Sequence, residues 1–185
     1  MASSKREQLL DTALDLFARE GYHATGIDRI LAESGVAKMT LYKHFKSKDE
    51  LIVAALESRQ RQIAEDLSEA QQGLGARERV LGVFDFVQTL TEGERFCGCL
   101  FINAAAEFHD RGHPIHRQAA AYKAVVREYF QRNLAALKVA DAERLARQLQ
   151  FLLEGAMTMA HIQGPASQGR EAREAAEQLL AAAGV

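Results

Sequence analysis

Cysteine, proline and tryptophan are scarce in this chain of 185 residues, which has two cysteines, two prolines and no tryptophan. Cys97 and Cys99 lie too close in sequence to staple a fold, so a disulfide scaffold is not expected. No apolar run approaches the roughly 18 residues of a membrane span, and none follows the basic pair Lys5-Arg6 as a signal peptide would require. We therefore expect a cytoplasmic protein.

The chain also lacks an excess of positive charge. Its formal net charge is −2, and residues 1–50 carry eight basic and eight acidic side chains. The protein as a whole is therefore not a basic nucleic-acid binder, and any DNA footprint must be local. One such local window exists, because residues 36–48 contain four lysines and a histidine but no acid.

Strand-like alternation flanked by turns is absent, and apolar residues recur at helical spacing almost throughout. This pattern predicts an all-α fold of about nine helices. Helix 1 begins at the capping box Ser4-x-x-Glu7 and ends at Gly21. Later helices are predicted near residues 76–92, 97–110, 115–138, 141–163 and 168–183.

The segment from Thr25 to Glu50 predicts two short helices around a Ser34-Gly35 turn, followed by a longer helix. Helix 2 begins at a second box, Thr25-x-x-Asp28, and helix 3 runs from about Lys38 to Phe45. Leu41 and Phe45 are four residues apart and anchor helix 3 on one face. Helix 4 begins at a third box, Ser47-x-x-Glu50, and leads out of this group.

A short helix held against another by a turn fits the major groove of DNA. The N-terminal end of helix 3, with Lys38, Met39 and Thr40, is where such helices meet base edges. Tyr42 and His44 can donate to phosphate, and Lys48 reaches the same backbone. The N-terminus of helix 2 at Thr25 offers another phosphate seat. The alternative is that this segment is only the solvated face of a helical bundle.

The segment VAKMTLYKHFKSKDEL, preceded by GYHATGIDRILAESG, resembles the DNA-binding region of the tetracycline-repressor (TetR) family of bacterial regulators. The resemblance spans about residues 4–56. It implies an all-helical homodimer with an N-terminal three-helix DNA domain, residues 1–50 with the motif at about 26–45, and a helical ligand-binding and dimerisation domain, residues 51–185. Its base and phosphate contacts would fall on eight residues: Thr25, Lys38, Met39, Thr40, Tyr42, Lys43, His44 and Lys48.

The second half resembles the family only in helix number and length, and in the stretch from Gly98 to Leu100. A ligand pocket is expected between its helices, since helical bundles commonly bind ligands there. If Asn103 and Glu107 both point inward, they can orient a polar ligand; otherwise they form a structural hydrogen-bond network. The candidate ligand-binding residues are Phe101, Asn103, Glu107, Phe108 and Tyr122.

Helices 8 and 9 are the candidates for a dimer contact, because small residues there allow close helix approach. The alternative is burial within one subunit. The candidate interface residues are Leu149, Leu152, Gly155, Ala156, Met159, Ala160, Ala176 and Leu179.

Cysteine and histidine leave two further hypotheses open. Cys97 and Cys99, near Arg95, are candidates for a redox sensor, although free cysteine often behaves as a small buried apolar residue. A metal site at His109, His113 and His116 is conceivable, but a polar interhelix turn explains them more simply.

No cofactor is expected, and no set of nucleophile, base and orienting group supports an enzyme. The sequence thus predicts a repressor that binds a palindromic operator as a homodimer and is released by an unknown small-molecule effector. The alternative is a regulator triggered by oxidation or electrophile modification of Cys97 or Cys99.

Overall fold

The computed structural model describes residues 4–185. Over these residues the chain forms nine α-helices and no strand, which confirms the predicted all-α fold. The helices, in chain order, are α1 (Lys5–Glu20), α2 (Ile27–Ser34), α3 (Lys38–His44), α4 (Lys48–Ala70), α5 (Ala76–Glu92), α6 (Leu100–Glu107), α7 (Pro114–Ala136), α8 (Ala142–Gln163) and α9 (Gln168–Ala182).

The helices group into two compact units that are not consecutive in sequence. The first unit holds the N-terminal residues through Ile63 together with Leu100–Tyr122, and the second holds Ala64–Cys99 and Lys123–Val185. Contacts therefore associate α6 and the start of α7 with the N-terminal helices, whereas the sequence suggested a boundary at residue 50. The functional boundary between residues 1–50 and 51–185 stays a prediction.

In the first unit, α1 begins and ends as its sequence predicts. The Ser4 hydroxyl accepts the Glu7 amide at 3.2 Å, and the Glu7 carboxylate accepts the Ser4 amide at 2.8 Å, which completes the capping box. At the other end the Gly21 amide donates to the Phe17 carbonyl. Six apolar side chains of α1 are buried, including Leu9 and Phe17, and α1 packs on α2 and α3.

The second predicted capping box is wrong. α2 begins after Gly26, and no side chain caps it. Thr25 is completely buried, and its hydroxyl donates to the Gly21 carbonyl at 2.7 Å instead of accepting an amide of α2. The hydroxyl bonds to the turn that precedes α2 because a buried polar group needs a hydrogen-bond partner. The predicted turn after α2 is confirmed: Gly35 is left-handed at φ 64°, a conformation that glycine adopts without strain.

At the third predicted box, the Ser47 hydroxyl accepts the Glu50 amide at 3.1 Å, as an N-cap should. The Glu50 carboxylate accepts the Lys46 amide at 2.8 Å, one residue earlier than the box pattern requires. The start of α4 is therefore satisfied from both sides, and Leu51, Ile52 and their neighbours on the inner face are buried.

The second unit has a core of its own, formed by α5, α7, α8 and α9. Phe84 of α5 and Phe130 of α7 stack with ring centroids 6.1 Å apart, and Leu149 and Ala176 are fully buried beside them. Deep burial of such side chains stabilises the unit by roughly 1.5–3 kcal/mol for each large residue. The helices that contact one another most in this unit are α5, α8 and α9.

The segment between α5 and α7 was predicted as one helix from residue 97 to 110, but α6 is shorter, Leu100–Glu107. Gly98 has φ 84°, which a right-handed helix cannot contain, so the helix starts only after Cys99. α7 begins at Pro114, the first helical position, where a missing amide costs nothing.

Candidate nucleic-acid interface

Two buried side chains hold α3 in place. Leu41 and Phe45 are 0% and 2% exposed, which confirms that they form its inner face. The turn before α3 is fixed by a side chain of α1: the Gln8 amide donates to the Ser34 carbonyl at 2.8 Å. The Ser34 hydroxyl in turn accepts the Val36 amide at 3.3 Å. α3 is therefore set at a defined angle to α1 and α2, as a recognition helix must be.

The opposite face of α3 is open to solvent. Met39 is 83% exposed and Tyr42 is 46% exposed, so two large side chains project from the same face. Together with Thr40 and Lys43 they border a shallow surface depression. Side chains that satisfy no core contact but share one helix face are available to a partner, and their chemistry suits base edges and phosphates.

The charge of this face is less uniform in space than in sequence. Lys38 lies 3.2 Å from the carboxylate of Asp28, which comes from the first turn of α2. Both side chains are largely exposed, so the pair is weak and can exchange for a phosphate or a base. Lys43 and His44 are exposed in the last turn of α3.

Lys48 is more enclosed than the other lysines of this segment. Its ammonium donates to the His23 carbonyl at 3.3 Å, and partial burial lowers the pKa of its side chain, although the carboxylates of Glu107 and Asp49 oppose this shift. A phosphate contact by Lys48 would have to replace or share this hydrogen bond.

Thr25 occupies a different position from the one its sequence suggested. Because its side chain is buried and bonded to the Gly21 carbonyl, the hydroxyl does not face solvent at the N-terminus of α2. Any phosphate contact at this point would have to use backbone amides of the first turn of α2.

Two residues that the sequence interpretation passed over support α3. The Arg6 guanidinium lies 5.5 Å from the centre of the Phe45 ring, which places a positive charge beside the end of α3. Gln8 fixes the turn, as described above. The one sequence signal for the charge beside Phe45 is the basic pair Lys5-Arg6 at the start of α1, and no local signal indicates the contact of Gln8 with the turn.

The predicted ligand-binding residues of α6 and α7 do not share one environment. Phe101 is buried and stacks on Tyr122, with ring centroids 3.8 Å apart. Asn103 is half-buried. Phe108 packs between the rings of His23 and His113, at centroid distances of 4.6 and 4.8 Å.

Glu107 points at the turn between α1 and α2. Its carboxylate accepts the Tyr22 amide at 2.8 Å and the His23 amide at 2.7 Å. The Tyr22 hydroxyl reaches back to the Leu100 carbonyl at 2.9 Å. Of the two alternatives for Glu107, the geometry favours the structural hydrogen-bond network, because the carboxylate is the partner of two backbone amides.

Four of the predicted dimer residues are buried within their own chain and do not face a partner. α8 turns one face to the core of its own unit, and α9 packs on it. Apolar periodicity identifies the face of a helix that is buried, but it does not tell whether a partner chain or the same chain buries it. Here helices of the same chain cover this face. The buried residues are Leu149, Ala156, Ala160 and Ala176.

The remaining candidates, Gly155 and Met159, are exposed, and Leu152 and Leu179 are half-buried. Two exposed apolar side chains of α8 were missed: Phe151 is 70% exposed and Ile162 is 69% exposed. With Gly155 and Met159 they form an apolar stripe along α8, spaced at about one helical turn. We call these four residues the α8 stripe.

The two cysteines lie in the second unit, just before α6, and no disulfide joins them. Cys97 is half-buried and Cys99 is buried. The Lys123 ammonium lies 3.3 Å from the Cys99 sulfur and forms an ion pair with Glu154 at 2.6 Å.

The histidines near α7 have separate partners. The His113 ring lies 3.4 Å from the Asp49 carboxylate, the His116 ring contacts the Phe108 carbonyl at 2.7 Å, and His109 is exposed. Over residues 4–185, no three His, Cys, Asp or Glu side chains are grouped as a metal site would need.

No helix in the described part of the chain is both long and apolar enough to cross a membrane.

Comparison with known proteins identifies both parts of the chain. Residues 9–55 match the model for bacterial regulatory proteins of the tetR family, and residues 76–176 match the model for the C-terminal domain of tetracyclin repressor-like proteins. The HTH-type transcriptional regulator YjdC of Escherichia coli K12 is 26% identical over 180 residues, which cover 95% of this chain and 93% of that protein.

Solved structures agree with these matches. A TetR-family transcriptional regulator from Streptomyces coelicolor is 33% identical, with a TM-score of 0.90 over 97% of this chain and 95% of that one. A TetR-type protein from Streptomyces avermitilis is 32% identical, with a TM-score of 0.87 over 99% of this chain and 100% of the other. The chain is a DNA-binding transcriptional regulator rather than an enzyme, and it belongs to the tetracycline-repressor (TetR) family.

Proposed function

We propose that the protein is a repressor that binds a palindromic operator as a homodimer and leaves it when a small molecule binds. The observation that supports this most is the exposed face of α3, where Met39 and Tyr42 stand out of the surface beside Lys43. Exposing such side chains costs solubility and gains nothing in the free chain. A partner with phosphates and base edges accounts for all of them.

The proposed contacts divide by role along α3. Lys38, Met39 and Thr40, in its first turn, read base edges, and the Met39 side chain is apolar enough to meet a thymine methyl group. Tyr42, Lys43 and His44 hold the phosphate backbone. Lys48 adds a weaker contact because it already donates to His23, and Thr25 contributes only through the amides that follow it.

A palindromic operator needs two recognition helices related by a two-fold axis, so the regulator acts as a homodimer. The α8 stripe supports this part of the proposal, because Phe151 and Ile162 are each about 70% exposed. A second copy of the same stripe is a self-complementary apolar partner. Leu152 and Leu179, which are half-buried, would lie at the margin of such a contact.

The effector is proposed to bind within residues 51–185, where Phe101 and Tyr122 form a stacked aromatic pair and Asn103 is half-buried. Glu107 and Phe108 contact His23 instead. In this proposal they do not bind the effector, but their contacts with His23 change when it binds. Since the target is DNA, we place the protein in the cytoplasm.

An electrophoretic mobility shift on DNA from upstream of the protein's own gene tests the proposal. We expect a retarded complex at low salt that contains two protein chains for each palindrome. A panel of small metabolites is then screened for compounds that dissociate it. Failure to bind any palindrome at low salt would refute the operator, and a single chain in each complex would refute the homodimer.

A second candidate function keeps DNA binding and changes the trigger to oxidation or electrophile modification of Cys97 or Cys99. One specific contact favours it, the approach of the Lys123 ammonium to the Cys99 sulfur at 3.3 Å. Replacing both cysteines by serine separates the two candidates. If peroxide still releases the double variant from DNA, the thiols are not the trigger.

A further inference from the structure

We propose that Cys99 and Lys123 form a modification site, in which a peroxide oxidises the thiol and the lysine then closes a covalent sulfur–nitrogen bond to it. The cross-link would join the segment before α6 to α7. Its effect on DNA binding rests on the second candidate function, whereas the chemistry of the site does not.

The pair is already in contact. The Lys123 Nζ atom donates to the Cys99 sulfur at 3.3 Å. The same ammonium is held by Glu154 of α8, whose two carboxylate oxygens lie 2.6 and 2.7 Å away. The Gln150 side chain donates to the Lys123 carbonyl at 2.9 Å. Contacts that do not involve the thiol therefore keep the lysine beside it.

The segment that carries the thiol is also fixed. Cys99 is buried, and the preceding Gly98 has φ 84°. A side chain at Gly98 would come within 3.1 Å of the His161 ring, so α8 packs directly on this backbone. Contacts with the same helix, α8, therefore fix both partners: His161 packs on the segment of Cys99, and Glu154 holds Lys123.

Water and small oxidants can reach the polar side of the site. The Lys123 and Glu154 side chains are 22% and 20% exposed. Hydrogen peroxide is about as small as water and needs no preformed pocket. An ion pair that is mostly removed from water contributes little net stability, because desolvating the two charges offsets their attraction. We therefore assign Glu154 the role of positioning Lys123.

The proposed reaction has two steps. The Cys99 thiol loses two electrons to hydrogen peroxide, giving a sulfenic acid and one water molecule. The Lys123 amine, after passing a proton to Glu154, attacks the sulfenic sulfur. The S–O bond breaks and an S–N bond forms, and the departing oxygen leaves as a second water molecule. A thiol reductant restores the thiol and the amine. The flexible four-carbon stem of lysine lets Nζ close the remaining gap.

A disulfide between Cys97 and Cys99 is the competing product, since a sulfenic acid also condenses with a thiol. Both products lower the mass of the protein by two hydrogen atoms. They differ in which residue is indispensable, Lys123 or Cys97, so variants distinguish them.

Intact-mass spectrometry of the full chain before and after hydrogen peroxide tests the proposal, using the wild type and the variants Cys97→Ser, Cys99→Ser and the double variant Cys97→Ser/Lys123→Arg, in which no disulfide can form. Arginine keeps the positive charge beside Glu154 but does not form the bond. We expect wild type and Cys97→Ser to lose two hydrogen atoms, reversibly with dithiothreitol. Protease digestion should then yield one peptide that joins the segments of Cys99 and Lys123. The other two variants should not show this loss.

Three results would overturn the cross-link: loss of the two hydrogen atoms in Cys97→Ser/Lys123→Arg, no such loss in Cys97→Ser, or only the addition of oxygen to Cys99 in Cys97→Ser. Circular dichroism of each variant checks that it folds, and Cys99→Ser gives a second, nearly isosteric control. DNA binding is measured separately on the oxidised Cys97→Ser protein. If the cross-link forms and DNA binding is unchanged, the inference stands and the second candidate function fails.

Discussion

The carboxylate of Glu107 accepts the backbone amide of His23 at 2.7 Å, across 84 positions of sequence. Its other oxygen accepts the Tyr22 amide at 2.8 Å. This single side chain therefore satisfies two consecutive amides of the turn between α1 and α2, and it does so from the last turn of α6. Lys48 donates to the carbonyl of the same His23, so the turn that precedes α2 is held from two helices.

We predict that Glu107→Ala lowers the free energy of unfolding by about 1–3 kcal/mol, because two amides lose a charged acceptor. Urea denaturation followed by circular dichroism measures this change. The matched control is Glu57→Ala on the exposed side of α4, which should change stability by less than about 0.5 kcal/mol. Equal effects of the two substitutions would contradict a structural role for Glu107.

The half-buried phenol of Tyr129 predicts a pH dependence of stability. Burial raises the pKa of Tyr129 above its ordinary value of 10.0, and its hydroxyl donates to Gln71. The unfolded chain thus loses the phenolic proton at a lower pH than the folded chain. The stability that this group contributes is present below about pH 10 and is lost as the pH rises further.

Urea denaturation of wild type and Tyr129→Phe at several pH values tests this dependence. As the pH rises from about 8 to about 11, wild type should lose stability relative to the variant. The two proteins are otherwise identical, so the contributions of all other groups cancel in the comparison. A difference in stability that does not vary with pH would contradict the prediction.

The α8 stripe predicts how the dimer can be weakened. Replacing Phe151 by serine removes a large exposed aromatic side chain from the proposed contact and should raise the dimer dissociation constant by about tenfold or more. Sedimentation equilibrium measures the constant. Val125→Ser on α7 is the control, since Val125 is also exposed but lies outside the stripe. A dimer that tolerates Phe151→Ser, or that Val125→Ser weakens as much, would exclude this stripe as the contact.

The exposed lysine of α3 predicts a change in salt dependence. Lys43→Gln should weaken binding to all DNA sequences alike and reduce the slope of log affinity against log salt by about one unit per subunit. Fluorescence anisotropy at several salt concentrations gives the slope. Lys48→Ala should reduce it by less, because this ammonium already has the His23 carbonyl as a partner. An unchanged slope for Lys43→Gln would remove Lys43 from the phosphate contacts.

Local sequence patterns predicted the local structure well. The capping box at Ser4, the Ser34-Gly35 turn and the inner face of α3 at Leu41 and Phe45 are each decided within a few residues. Thr25 shows the limit of such patterns. A threonine before a helix can cap it or bond the preceding turn, and the choice depends on burial, which packing by distant residues creates.

Contacts between distant residues could not be predicted from the sequence. Nothing local to Glu107 or His23 reveals that they meet, and the same holds for Cys99 and Lys123. The faces of α8 illustrate a second limit. Leu149 and Phe151 are both apolar, yet one is fully buried and the other is 70% exposed. Hydrophobicity alone does not tell a core face from a face left for a partner.

The central claim is that α3 reads DNA sequence from its exposed N-terminal half. Selection of bound duplexes from a random library, followed by sequencing, tests it most directly when wild type, Met39→Ala and Lys43→Gln are compared. We predict that wild type enriches one palindrome, that Met39→Ala changes the preferred bases within each half-site, and that Lys43→Gln preserves those bases while recovering less DNA. If wild type enriches no sequence, or if Met39→Ala selects the same bases as wild type, α3 does not read the operator in this way.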